Sequence, residues 1–151
     1  MVTKMSLRNW LDSGWLMEHK TSPEEIKNLL GVADRDLTDC QSVGLSADWR
    51  MNIAYNAALQ AATAALAVCG YRASRDSHHY RVIQSLAYTI NADKKLITQF
   101  DKFRKKRNIG GYEQAGLVSD KEADEMISLG QQLREEVELW IRTNYPEYLS
   151  K

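Results

Sequence analysis

The stretch NAALQAATAALA, residues Asn56–Ala67, occupies the second half of the helix expected over residues 46–68. Its alanines fall on several faces of a helix, and such small side chains allow neighbouring helices to approach closely. The stretch therefore predicts either a central helix packed on several sides or a helix at a dimer interface. Ser46 is suited to cap this helix at its N-terminus, and Gly70 is suited to end it after Val68.

The segments on either side of this helix also have helical periodicity, and no strand pattern is convincing. The expected helices cover about residues 6–17 with a break near 14, 22–42, 46–68, from 76 or 77 to 90, from 91 or 93 to 107, and from 119 onward after a loop. Short connections favour antiparallel neighbours. The sequence thus predicts one all-α domain over residues 1–151, an antiparallel four-helix bundle. Residues 1–20 add a short N-terminal helix and lead-in.

Bulk composition excludes several classes of protein. The 151 residues contain 20 basic and 20 acidic side chains, so net charge indicates no particular partner. No apolar run approaches the roughly 20 residues that span a bilayer, and no secretion signal is evident at the N-terminus. Cys40 and Cys69 lack metal-ligand spacing. We therefore expect a cytoplasmic protein with no membrane contact, no metal and no other cofactor.

A local run of positive charge lies in FDKFRKKRNIGGYEQ, residues 100–114, where five of the six residues 102–107 are basic. On a helical projection the side chains opposite the apolar stripe are Lys102, Lys105 and Lys106. Arg104 and Arg107 instead fall within the arc of Phe100 and its apolar neighbours. Arginines in that position predict either ion pairs, for instance with acidic residues of the last helix, or a phosphate-binding fork.

Two further polar features fall on faces expected to point inward. Asn52 and Asn56 share a face with Trp49, and Tyr55 lies beside them; a structural hydrogen-bond network or a ligand site would satisfy the two amides. His79 projects with the apolar residues of its helix, whereas His78 projects outward. A buried histidine with a satisfied ring and a general base are both compatible with that position.

The segments AYNAALQAATAALAVCGYR, DSHHYRVIQSL and FRKKRNIGGYE together resemble the HEPN domains, which are small prokaryotic helical bundles. The resemblance covers about residues 22–140. Nuclease members of that family carry an arginine, a polar residue, and a histidine four to six positions after the arginine. Arg107 and Asn108 match the opening of the motif, but Tyr112 stands where a histidine is expected. The resemblance implies a homodimer with facing motifs and points to the branch without the histidine.

The leading hypothesis is a HEPN-like homodimer that binds RNA or a nucleotide phosphate, with weak or absent catalysis, in a toxin–antitoxin or RNA-processing system. One alternative is a metal-independent endoribonuclease. Another is an interaction subunit that partners a small nucleotidyltransferase, with Trp10 and Trp15 at an interface. The candidate ligand-binding residues are Tyr55, Asn56, Arg104, Arg107, Asn108 and Tyr112. The candidate catalytic residues are His79, Arg107 and Tyr112.

Overall fold

The computed structural model describes residues 2–110 and 118–149, with the side chains of 7–107 and 118–149. Most of the described chain is helical, which confirms the all-α class. The elements, in order, are α1 Val2–Asp12, β1 Leu16–Glu18, α2 Pro23–Asp39, α3 Ala47–Val68, β2 Tyr71–Ala73, α4 His78–Ser85, α5 Lys94–Gly110, α6 Asp120–Asn144 and a 3₁₀ turn Pro146–Tyr148. The finer expectation, an antiparallel four-helix bundle of HEPN type, stays a prediction.

The alanine-rich helix α3 lies at the centre of the molecule and packs most extensively against α6 and α2. Its alanines are buried on several faces, as the first of the two sequence alternatives required. Those with no exposed surface are Ala54, Ala57, Ala58, Ala61, Ala62, Ala64 and Ala65. The small methyl groups of these alanines allow the neighbouring helices to lie close to α3. The core therefore consists of the alanine side chains of α3 and the larger side chains of its neighbours.

Capping residues start the long helices where the sequence predicts them. The Ser22 hydroxyl accepts a hydrogen bond from the Glu25 amide at 3.1 Å at the start of α2. Ser46 accepts from the Trp49 amide at 3.2 Å at the start of α3. Ser119 opens α6 with a reciprocal capping box. After α3, Gly70 adopts φ +97°, a backbone conformation that glycine reaches without steric cost.

A small antiparallel sheet corrects the expectation that the chain holds no strand. In it Leu16 pairs with Ala73 and Glu18 pairs with Tyr71. The expected break near Gly14 is present, since α1 ends at Asp12 and Gly14 turns the chain with φ +82°. The helix does not resume toward residue 17, because Leu16–Glu18 form a strand. Three residues are too few to show an alternating pattern in the sequence. The strand exists because it pairs with a second strand more than 50 residues away in sequence.

The boundaries of three other helices differ from the sequence prediction. Helix α2 ends at Asp39 rather than 42, and α4, which follows Ser77 as one of the two expected starts allowed, ends at Ser85 rather than 90. After α4 the chain turns, and Asn91 adopts φ 58°, a left-handed conformation that a helix cannot continue through. Helix α5 therefore begins at Lys94, and it continues to Gly110, past the expected end at 107.

The expected inward position of Trp49 is wrong, since its side chain is 62% exposed. The first turn of α3 is tied to α6 on another side, where the Arg50 guanidinium contacts Asp124 and lies 3.4 Å from Asp120. That attachment leaves the neighbouring indole outside the core. Among the described helices, none has both the length and the apolar character needed to cross a membrane.

Candidate functional site

An open cleft of about 520 Å³ lies where α4 and α5 meet. Its described lining residues are Ser77, His78, His79, Tyr80, Arg104 and Arg107. Two arginines and two histidines thus face one space, and no carboxylate is among these lining residues. The sequence predicted three of the six residues as candidates, and the structure brings those three together.

The turn before α4 places the histidines at the cleft. Ser77 adopts φ 54° and ψ 38°, a left-handed conformation that is uncommon for a residue with a side chain. Because α4 begins immediately afterwards, His78 and His79 occupy its first turn. Strained backbone conformations of this kind occur often at functional sites.

Tyr55 of α3 forms the support under the cleft. It is only 1% exposed, and its hydroxyl lies 3.1 Å from Nδ1 of His79. Its ring also lies 5.2 Å from the Arg107 guanidinium, within the range of a cation–π contact. Burial raises the pKa of Tyr55 to about 12, so the phenol is neutral at physiological pH.

Arg104 is held in position from two sides. Its Nε donates to Oδ1 of Asp101 at 2.6 Å, and its guanidinium lies 5.3 Å from the Tyr80 ring. Asp101 is 9% exposed and also pairs with Lys105 at 3.7 Å. This hydrogen bond, which Arg104 donates to Asp101, is the main cause that raises the pKa of Arg104. A charge fixed in this way loses little side-chain freedom when an anion binds.

The expected ion pairing of the arginines to the last helix is wrong for Arg104, since Asp101 belongs to the same helix. Lys106 forms the bond to α6 instead, with Nζ 2.9 Å from Oε2 of Glu122. Lys106 was expected on a fully solvated face and is half-buried. The side of α5 that faces the start of α6 carries Lys106 and not Arg104.

Arg107 differs from Arg104 in both exposure and pairing. It is exposed, and no carboxylate in the described part of the chain forms an ion pair with it. Its guanidinium rests on the Tyr55 ring, which orients the group without neutralising its charge. No carboxylate among the described residues therefore occupies the hydrogen-bond donors of Arg107, which suit an anion in the cleft.

The environment of His79 keeps its imidazole neutral. Burial lowers the pKa of His79 most, and electrostatic interactions with Arg107, His78 and Arg104 lower it further. A neutral imidazole can accept a proton from a ligand at physiological pH. Sequence reasoning could not place this ring beside Arg107, but both residues line the same cleft.

The other sequence candidates lie elsewhere. Asn56 donates through Nδ2 to Oδ2 of Asp36 at 2.7 Å and accepts from Gln60 at 3.2 Å, which is the structural network that the sequence allowed. It joins α3 to α2 and is not among the cleft residues. The side chain of Asn108 and the whole of Tyr112 lie outside the described residues. Their predicted roles stay predictions.

Sequence reasoning missed the aromatic and arginine contacts that lead from the sheet to the cleft. Arg81 lies 3.6 Å from the centre of the Trp15 ring and 5.3 Å from the centre of the Tyr80 ring. Tyr80 is the same ring that Arg104 contacts. The sequence signal was the dipeptide Tyr80–Arg81 directly after His79. Asp101 was equally visible, because positions i and i+3 of a helix are neighbours.

Neither a metal-binding cluster within the described part of the chain nor likeness to a known protein assigns a function to the cleft. Among the described residues, no group of three or more His, Cys, Asp or Glu side chains is arranged to hold a metal ion. Comparisons with protein-family models, with curated proteins and with solved structures found no match. The geometry of the cleft is therefore the basis for assigning a function.

Proposed function

We propose that this chain is a HEPN-like helical protein that binds RNA or a nucleotide, and that Arg104 and Arg107 hold a phosphate group in the cleft. One observation carries the proposal: two arginines and two histidines line the cleft without a carboxylate among its described lining residues. Guanidinium groups bind phosphate oxygens in pairs, so such a cleft suits a phosphodiester or a terminal phosphate.

The two arginines have different roles in this proposal. Arg107 makes the main contact, because it has no anionic partner in the described residues and its ring support orients it. Arg104 adds a second, fixed charge, and Asp101 holds it in place. Tyr80 offers an aromatic face at the same cleft, and base stacking on such a face tolerates any sequence.

Binding of a labelled single-stranded RNA and of AMP, in EDTA and at low salt, tests the proposal. Arg107→Ala is expected to weaken both affinities by roughly tenfold, as loss of a charged hydrogen bond does. Lys102→Ala is the matched control, since it removes one positive charge from an exposed position of the same helix. Equal affinities of wild type and Arg107→Ala, or equal losses in the two variants, would overturn the proposal.

Assembly and cellular context are part of the same proposal. The HEPN resemblance supports a homodimer with facing motifs, and the proposed location is the cytoplasm. It also supports a small nucleotidyltransferase as partner, in a toxin–antitoxin or RNA-processing system. Light scattering after size-exclusion chromatography tests the dimer, for which a monomer at micromolar concentration is the contrary result. Co-purification with a nucleotidyltransferase tests the partner.

A metal-independent endoribonuclease is the second candidate, because His79 and Arg107 line one cleft and the pKa of His79 is lowered. In this reaction His79 takes the proton of a ribose 2′-hydroxyl, whose oxygen attacks the adjacent phosphorus. The P–O5′ bond breaks, and the leaving oxygen takes up a proton. For this role Nδ1–H of His79 donates to the Tyr55 oxygen, which leaves the lone pair of Nε2 as the proton acceptor.

Cleavage of RNA in EDTA separates the two candidates. The nuclease predicts 2′,3′-cyclic phosphate products that vanish with His79→Gln and with a 2′-deoxy substrate. Arg107→Ala should lower the rate as well, whereas Lys102→Ala should not. RNA that binds in an Arg107-dependent manner and stays intact supports the binding protein and contradicts the nuclease.

A further inference from the structure

A series of contacting arginine and aromatic side chains leads from the cleft to the small sheet, and we call it the stacking track. Its members are Arg104, Tyr80, Arg81 and Trp15. The Tyr80 ring contacts two guanidinium groups, because the Cζ atoms of Arg81 and Arg104 each lie 5.3 Å from its centre. The Arg81 Cζ atom also lies 3.6 Å from the centre of the Trp15 ring. Cation and ring therefore alternate from the edge of the cleft outward.

Arg81 forms no ion pair with a carboxylate in the described part of the chain, although its side chain is half-buried. Such pairs do hold most of the other arginines there, namely Arg8, Arg35, Arg50, Arg104, Arg134 and Arg142. The Arg81 guanidinium instead rests on the Trp15 ring, which orients the group without neutralising its charge. No described carboxylate therefore occupies its hydrogen-bond donors, which suit the oxygens of a phosphate.

Trp15, at the outer end of the stacking track, keeps an accessible aromatic surface. The residue is 39% exposed, although Arg81 stacks on its ring and Trp10 packs edge-on against it at 5.8 Å. Because these two contacts already hold the ring, it loses little freedom when a ligand stacks on it. Proteins that bind single strands combine such rings with positive charges that follow the phosphate backbone.

The spacing of the stacking track suits neighbouring nucleotides of one strand. Since the Arg81 and Arg104 Cζ atoms lie 5.3 Å from the same ring centre, they are at most about twice that distance apart. One or two nucleotides of a single strand span such a separation. A strand that leaves the cleft along the track would meet Arg81 with its next phosphate, and a base would stack on Trp15.

We propose that the stacking track extends the cleft into a site for a single-stranded oligonucleotide, in which Arg81 holds a second phosphate and Trp15 stacks on a base. The inference rests on the proposed function, because the first phosphate occupies the cleft. Within that function it selects the ligand class, which is a strand of several nucleotides rather than a free nucleotide. A single strand is required, since the faces of paired bases in a duplex are not accessible for stacking.

The test compares the affinities of AMP and of a 5′-phosphorylated RNA tetraadenylate in EDTA and at low salt. Arg81→Gln should weaken tetraadenylate binding by roughly tenfold and leave AMP binding unchanged, because AMP occupies only the cleft. Arg107→Ala should weaken the binding of both. Arg142→Gln is the matched control, since it removes the same charge from an exposed position of α6 and should change neither affinity.

Two further measurements report on Trp15. Its indole N–H signal in ¹H–¹⁵N spectra, identified by its loss in Trp15→Leu, should shift saturably with tetraadenylate and not with AMP. This readout uses the wild-type protein, so it does not depend on the folding of a variant. Trp15→Leu should weaken tetraadenylate binding by roughly fivefold. An abasic tetranucleotide keeps the phosphates but has no bases, and Trp15→Leu should not change its affinity.

The outcomes separate this inference from the proposed function. If Arg107→Ala weakens both ligands but Arg81→Gln binds tetraadenylate as tightly as Arg142→Gln does, the cleft stands and the stacking track is overturned. A Trp15 signal that saturating tetraadenylate leaves in place also overturns the track. If Arg107→Ala changes neither affinity, the proposed function fails, and the track fails with it because it begins at the cleft.

Discussion

The Tyr55 hydroxyl and Nδ1 of His79 lie 3.1 Å apart, so one hydrogen bond joins the central helix to the first turn of α4. The same tyrosine ring supports Arg107 from below at 5.2 Å. Tyr55 therefore holds both the His79 imidazole, which can exchange a proton, and the Arg107 guanidinium, which can bind an anion. This arrangement makes the cleft sensitive to a change that lies beneath its surface.

Tyr55→Phe should lower the free energy of unfolding by about 1 kcal/mol, because it removes the partner of the half-buried Nδ1 and leaves the packing of the ring intact. Urea unfolding measures the change. Tyr71→Phe is the matched control, since no hydrogen bond of the Tyr71 hydroxyl is seen among the described residues. Equal stability of Tyr55→Phe and wild type would show that the hydrogen bond contributes nothing.

Stability should fall as pH decreases below about 6.5, in part because of His79. Burial and the nearby arginines hold the pKa of His79 below its ordinary value. The unfolded chain therefore takes up a proton at a higher pH than the folded chain does. Its contribution is complete above the unfolded pKa and declines as the pH falls toward the folded pKa.

Unfolding of wild type and His79→Gln at about pH 7.5 and about pH 5.5 measures this contribution. Wild type should lose more stability over that interval than His79→Gln. In Arg107→Ala the pKa of His79 should move back toward its ordinary value, which NMR titration of the ring proton detects. An identical pH dependence of wild type and His79→Gln would contradict the lowered pKa.

The salt dependence of RNA binding should distinguish the two arginines. Each phosphate contact on a single strand contributes about 0.7 to the slope of log affinity against log salt. Arg107→Gln should reduce the slope by about that amount, because no described carboxylate neutralises Arg107. Arg104→Gln should reduce it less, since Asp101 lies 2.6 Å from the Arg104 Nε. A slope that Arg107→Gln leaves unchanged would show that Arg107 meets no phosphate.

Substitution of alanine for each of two glycines should change the free energy of unfolding in opposite directions. At Gly130 of α6 a Cβ atom would lie 3.1 Å from Cδ2 of Leu37 and 3.3 Å from the Ala54 carbonyl oxygen. Crowding against backbone should outweigh the gain in helix propensity, so Gly130→Ala should lower stability by about 1 kcal/mol. Gly31→Ala in α2 meets nothing within 4 Å and should raise stability by up to about 1 kcal/mol. Urea unfolding of both variants decides the matter, and two changes of the same sign would contradict the close approach of α6.

Local signals explain most of what the sequence predicted about the fold. Ser22, Ser46 and Ser119 each lie within one turn of the amide they cap, so the starts of three helices were readable without a partner. The burial of α3 was readable because alanine recurs on several of its faces. The two strands were not readable, because each exists only where the other pairs with it.

The sequence predicted individual residues of the candidate site, but it did not predict that they lie together in one cleft. Helical projection separated Arg107 from the lysines, and His79 was visible as a histidine on an apolar face. Their meeting depends on how α4 crosses α5, which no local pattern records. For Asn56 the sequence predicted that the amide faces inward, but it did not predict the hydrogen-bond partner, Asp36, which belongs to α2. Nothing in the spacing of α3 indicated which neighbour would satisfy that amide.

The pairing of residues 16–18 with residues 71–73 has a consequence for how the chain folds. During synthesis the first strand emerges long before its partner, and closing so long a loop carries an entropy cost. The contacts of α2 with α3 join residues that are closer in sequence, so we expect them to form sooner. We therefore expect the sheet to form only after α2 and α3 have packed together and have brought residues 16–18 close to residues 71–73. The stacking of Trp15 on Arg81 would then be among the last contacts made on the way to a finished cleft.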